Sequence, residues 1–168
     1  TEAHISSATE EEINATIKVM GGEDWIDWMK ALNDAGVLAD KVITVAYSYI
    51  GPKITFPIYA EGSIGQAKKD LYKSCDIINE RWPQIKAKVA INKALVTQSS
   101  AAIPIVPLYI TLLYKVMKDK GLHEGCIEQM QRLFMDKILD DSQVDENGFV
   151  RMDDWEMRDD VQLGYSFK

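Results

Sequence analysis

Between Val42 and Val96 the hydrophobic period of the chain changes twice, and that change restricts the fold more than any other feature. Val42–Ile50 (VITVAYSYI) is β-branched, aromatic and nearly all apolar, as a strand covered on both faces must be. Residues 63–81 follow with Ile64, Ala67 and Leu71 at helical spacing, and Trp82-Pro83 ends the run. Lys88–Val96 (KVAINKALV) is a second strand-like stretch. Strand, helix, strand predicts a βαβ unit, with parallel strands joined by a right-handed crossover. The expected fold class is therefore α/β.

That topology also predicts where a site lies. In open α/β sheets, ligands bind beyond the carboxyl ends of the strands. Tyr49 stands near the end of the first strand and Thr97 at the end of the second. Gly51, Pro52, Pro57 and Gly62 punctuate the chain between the first strand and the helix. Tyr59 on this bend and Lys68 in the helix are nine positions apart. Nine residues of unbroken helix turn through roughly 900°, which would set the two side chains back to back. They converge only if the helix starts after Tyr59, and Gly62-Ser63 offers that start, with Ser63 as the cap. A phenol beside an ammonium makes a proton-donor pair, because the cation favours the phenolate and lowers the phenol pKa. Spacing alone equally allows a buried tyrosine beside two solvated lysines, Lys68 and Lys69.

Elsewhere the pattern is helical. Thr9 and Glu12 form a capping-box pattern ahead of Ile13, Ile17 and Met20, and Gly21-Gly22 breaks that helix. Asp24 is placed to cap a second helix, with Trp25 and Trp28 expected in the core and Gly36 at the stop. Tyr47 is also expected in the core. Further helices are expected over Leu108–Lys120 and Glu124–Leu139, with a short hairpin at Asn147-Gly148. Gln143–Asp154 has the outline of a calcium loop, but Gln143 and Asp154 stand where Asp and a bidentate Glu are wanted. His123, Glu124 and Cys126 fall short of a zinc ligand set.

Composition narrows the function. The 168 residues, 46% hydrophobic, suffice for one domain with a sizeable core. A net charge of −7 argues against a dedicated nucleic-acid binder, which needs clustered Lys and Arg. Two cysteines make no disulfide framework, so a reducing compartment, the cytoplasm, is expected. The opening residues suggest no signal peptide, so none is expected. The longest apolar stretch, AAIPIVPLYITLLY, is short for a membrane span and carries Pro104 and Pro107.

The segment IYAEGSIGQAKKDL, with Tyr59 and Lys68 as Y-x8-K, resembles the signature of the FabV-type enoyl-acyl-carrier-protein reductases and bacterial-type trans-2-enoyl-CoA reductases. VMGGEDW, AYSYIG, ALVTQSSAAIPIVPLY and KVMKDKGLHEGCIEQ resemble the same family, in order. The resemblance implies NADH-dependent reduction of a trans-2-enoyl thioester, carried on coenzyme A or acyl-carrier protein, in fatty-acid synthesis. It implies Tyr59 as donor to the enolate oxygen, and Lys68 as its partner and a contact to the nicotinamide ribose. Tyr49 would contact substrate, and Leu95, Val96 and Thr97 would meet the cofactor. Ile103, Ile105, Val106, Leu108 and Tyr109 would wall an acyl channel. The implied fold is the later half of a Rossmann-like, doubly wound parallel sheet with covering helices. Because no glycine-rich fingerprint opens a helix here, residues 1–168 are expected to be the C-terminal catalytic part, partnered by an N-terminal nucleotide-loop half. The competing expectation is a catalytically silent helical interaction module.

Overall fold

The computed structural model describes residues 6–98 and 106–165. Thr9 opens the first helix, α1 (Glu10–Met20), through the expected capping box: its hydroxyl accepts the Glu12 N–H, and Glu12 accepts the Thr9 N–H at 2.8 Å. α2 (Glu23–Asp34) begins from Gly22, two residues ahead of the Asp24 cap read from the sequence. Close approach decides this: a Cβ on Gly22 would lie 2.2 Å from Ser74 Oγ, and the Gly22 N–H donates to Asp70 at 2.9 Å. Ser74 and Asp70 both belong to α3 (Ser63–Arg81), against which α1 and α2 lie.

β1 (Val42–Ser48) and β2 (Ile85–Ile91) are parallel, in register from Val42↔Ile85 to Ser48↔Ile91, with α3 between them. The βαβ unit is therefore as expected, and the helix has the expected limits. Its cap is Gly62, with Ser63 the first helical residue and no side-chain cap. The strand limits differ from expectation. β1 stops two residues short of Ile50, and β2 lies at 85–91 instead of 88–96. β2 ends early because buried side chains take over its backbone donors. Gln129 accepts the Lys93 N–H at 2.9 Å and Glu156 accepts the Ala94 N–H at 2.7 Å. Leu95–Thr97 consequently lies in the loop beyond the strand rather than at its tip.

The sequence suggests Phe149-Val150 as one arm of a short hairpin, but not that β3 (Phe149–Arg151) extends the sheet to the order β1-β2-β3 by pairing parallel to β2. The turn expected at Asn147-Gly148 does form. Asp145 accepts the N–H groups of Asn147 and Phe149, Gly148 has φ +79°, and Val144 bridges Val150 in antiparallel fashion. Above β3, Asn79 of α3 pairs with both the N–H and the C=O of Ala87, satisfying β2 where it has no third strand.

Alternation along β2 divides the core. Ile85 and Ala87 meet Met29, Ile78 and Trp82 on one face, where Trp25 also donates to Thr44 at 2.9 Å. Ala90 and Val45 meet Leu133, Ile138, Val150 and Met152 on the other. Both faces are thus covered. Trp28 misses the inner stripe of α2 and is 63% exposed, contrary to the core position expected for it. Tyr47 departs the same way, at 47% exposure, because β1 is a sheet edge.

α4 (Val106–Asp119) begins two residues earlier than expected, since Pro107 is tolerated in a first turn. Its Val106, Tyr109, Ile110, Leu113 and Met117 pack with Ala94 and with Val161 of a short later helix, Asp159–Gln162. The helix expected over Glu124–Leu139 is α5 (Cys126–Arg132) running into a π turn at Leu133–Lys137. No helix among the described residues is long and apolar enough to cross a membrane.

Gly65 offers a direct check. An added Cβ would lie 1.9 Å from the Ala60 carbonyl oxygen, so the first turn of α3 sits against the bend that carries Tyr59. Gly65→Ala is predicted to cost about 1–3 kcal/mol in thermal or urea unfolding, because backbone has to move to admit a methyl.

Candidate functional site

A cleft of about 390 Å³ opens beyond the carboxyl ends of β1 and β2. Tyr49, Tyr59, Lys68, Leu95 and Thr97 all line it, together with Asn92 and Lys93 from the end of β2. Val96 does not. It is 69% exposed and lines a neighbouring recess with His123 and Cys126.

The approach of Tyr59 to Lys68 is a matter of local chain chemistry. Gly51, at φ +77°, turns the chain out of β1 under the Tyr49 ring. A 3-10 turn over Lys53–Thr55 follows, and the Thr55 carbonyl accepts the Tyr59 N–H at 2.9 Å. The helix begins only at Ser63, so Tyr59 sits on the bend and Lys68 lies in the second turn of α3. Both side chains face one cleft, as the broken-helix argument requires. Among the described residues, neither the Tyr59 hydroxyl nor the Lys68 ammonium has a hydrogen-bond or ion-pair partner, which leaves both open to a ligand. Lys69 is exposed.

The electrostatics correct one expectation. A lysine was expected to lower the Tyr59 pKa. Instead burial pushes the Tyr59 phenol up to about 12, and Tyr72 adds to the rise. Burial also pushes the Lys68 ammonium down. Both shifts favour the neutral forms, because desolvation disfavours charge on each group.

Tyr49 stands edge-on to Tyr59, with ring centroids 5.3 Å apart at 74°. Its hydroxyl donates to Glu156 Oε1 at 3.0 Å. Tyr109 donates to the same oxygen at 2.7 Å, and Glu156 Oε2 takes the Ala94 N–H. Burial raises the Glu156 carboxyl, while the bonds from Tyr109, Ala94 and Tyr49 pull the other way. Nothing in the sequence marked Glu156, which sits inside the acidic stretch MDDWEMRDD. Of the expected acyl-channel wall, Val106 and Tyr109 are buried and Leu108 points outward, while Ile103 and Ile105 lie outside the described residues.

Residues 1–139 match the family described as the trans-2-enoyl-CoA reductase catalytic region. The chain belongs to that family. It is 53% identical over 165 residues to the enoyl-[acyl-carrier-protein] reductase [NADH] of Flavobacterium johnsoniae, covering 96% of this chain and 42% of that protein. It is 56% identical over 165 residues to the trans-2-enoyl-CoA reductase of Euglena gracilis, covering 96% of this chain and 30% of that one. The crystal structure of Clostridium acetobutulicum trans-2-enoyl-CoA reductase in complex with NADH superposes with TM-score 0.90 at 52% identity, over 95% of this chain and 42% of that one. The Treponema denticola enzyme in complex with NAD gives TM-score 0.88 at 47% identity, over 96% of this chain and 42% of that one. The parallel sheet with helices on both faces is thus part of a Rossmann-like fold, and these relatives favour a reductase lineage over an interaction module. The chain spans less than half the length of each relative.

The Tyr59 shift predicts an alkaline limit. An ordinary phenol loses its proton near pH 10 and Tyr59 only near 12, so over that interval the folded state holds more protons and stability falls as pH rises. Tyr49 and Tyr72 shift the same way. Urea midpoints measured across this range should decline, and Tyr59→Phe should reduce the slope without abolishing it.

Proposed function

We propose that this chain is the C-terminal catalytic part of an NADH-dependent reductase that converts trans-2-enoyl thioesters to acyl thioesters. The carrier is coenzyme A or acyl-carrier protein, the setting is cytoplasmic fatty-acid synthesis, and the partner is the nucleotide-loop half of the same enzyme. The convergence of Tyr59 and Lys68 on one cleft carries this reading, in a chain 52% identical to an enzyme crystallised with NADH.

The cleft suits the nicotinamide end of the cofactor. The buried Asn92 Oδ1, on a residue that lines it, lacks a hydrogen-bond partner among the described residues and would accept from a carboxamide. Leu95 and Thr97 would flank that end, with Val96 as a backbone contact in the same loop. NADH, when bound, supplies a hydride for the β-carbon of the enoyl group. Negative charge then gathers on the thioester oxygen, and stabilisation there lowers the barrier most. Tyr59 would meet that oxygen with its hydroxyl and pass its proton to the enolate, and the resulting enol ketonises by moving a proton from oxygen to the α-carbon through solvent, which gives the acyl thioester. Lys68, whose acidity burial increases, returns a proton to the phenolate and holds the nicotinamide ribose. Tyr49 and Val106, which line the cleft, present apolar surface to the acyl chain, each buried CH₂ of which contributes about 0.8 kcal/mol.

NADH oxidation followed with crotonyl-CoA and crotonyl-acyl-carrier protein tests the assignment in the natural full-length protein. Tyr59→Phe is expected to lower kcat about 10²- to 10⁴-fold while binding NADH normally. Lys68→Met is expected to lower kcat and weaken NADH binding together. Wild-type kcat in Tyr59→Phe rules out the donor role.

A further inference from the structure

Tyr49 and Tyr59 are two phenols side by side in the cleft, and each is a plausible donor to a substrate oxygen. Their hydroxyls are not equivalent. A phenol has one proton to donate. That of Tyr49 is directed at Glu156 Oε1, 3.0 Å away, whereas Tyr59 has no such acceptor among the described residues. What Tyr49 turns elsewhere is a lone pair, which repels an enolate oxygen.

Glu156 does not itself reach the cleft. It is 0% exposed and surrounded by the elements that line the cleft. It accepts Tyr49 from the chain leaving β1, the Ala94 N–H from the loop leading to Leu95–Thr97, and Tyr109 from α4. Three donors on two oxygens suit the ionised form. Its own backbone is fixed in turn, since Gln162 Nε2 donates to the Glu156 carbonyl at 2.7 Å.

We propose that Glu156 is the positioning residue of the cleft: it takes up the Tyr49 proton in a hydrogen bond, which makes Tyr49 a fixed edge against which Tyr59 is aimed, and leaves Tyr59 the only one of the two phenols that donates to substrate. This rests on the reductase reading above. Glu156→Gln keeps the shape of the side chain but sets an amide N–H₂ against either the Ala94 N–H or the tyrosine pair. The first arrangement loses the Ala94 bond and the second loses both phenol bonds, and either one removes the carboxylate charge from the Tyr49 hydroxyl.

The test is a double-mutant cycle in the natural full-length protein, using Glu156→Gln, Tyr49→Phe and the pair. Each single change is expected to lower kcat for crotonyl-CoA about 10- to 100-fold, the scale of a misplaced reacting group. The double variant should be no worse than the poorer single one, because Glu156 acts through Tyr49. Effects that multiply, or an unchanged kcat in Glu156→Gln, overturn the proposal. Trp25→Phe, which removes the bond to Thr44 in the other part of the core, is the stability control: it should lower Tm and leave kcat unchanged, and an equal loss of kcat would mean that general loosening, not the Tyr49 bond, is responsible. A readout independent of turnover is the ring ¹³Cζ resonance of Tyr49, assigned through Tyr49→Phe. Loss of the carboxylate acceptor in Glu156→Gln should move it upfield, and a resonance that stays put refutes the bond. A shift seen in a protein that reduces no enoyl thioester supports the Glu156–Tyr49 bond and rejects the reductase reading instead.

Discussion

A carboxyl group with no surface in water has to be met by donors, and Glu156 is met by three from three separate elements. Removing a single partner of such a group costs far more than the pair contributes, so the elements that meet there are fixed relative to one another. The C-terminal segment owes its place to the same economy. β3 docks it on β2, and Arg132 of α5 clamps it by donating to both Glu124 and Asp154 and to the Met152 carbonyl, with its guanidinium 4.4 Å from the Trp155 ring. Met152, Asp153 and Glu156 are then buried in succession behind the cleft. A short strand and one arginine thus bring an acidic segment, remote in sequence from Tyr49 by 107 positions, to the back of the site.

The sequence revealed what local periodicity encodes. The limits of α3 and the capping box of α1 were readable because each depends on residues within a turn of one another. The bend at Tyr59 was readable because a straight helix could not have served the pair. What stayed hidden was decided at long range. The apolar Ala94-Leu95-Val96 suggests a strand running later than the true β2, and only Gln129 and Glu156, distant in sequence, draw the backbone out of the ladder. β3 is three residues long, too short to carry an alternation, and its parallel partner is not its neighbour in the chain. Trp28 and Tyr47 were assigned to the core on residue type alone, and their exposure follows from which face α2 and the edge strand present.

Desolvation sets the order of acidity in the cleft. In water a phenol and an alkylammonium give up protons at nearly the same pH. Burial pushes Tyr59 up to about 12 and Lys68 down, so the ammonium becomes the stronger acid of the two. Before reaction the proton therefore belongs on Tyr59, where it can serve as a hydrogen bond, and Tyr59 is not poised to lose it to solvent. In the reductase reading proposed above, an oxyanion developing against the phenol would be the stronger base, and a proton drawn from Tyr59 would be replaced most readily from Lys68. A lysine that merely lowered the phenol pKa by its charge would deliver a more acidic donor, but one already partly ionised near its working pH. For that proposed reaction, a part-buried pair would keep the donor loaded and hold the replacement proton on the group that parts with it more easily.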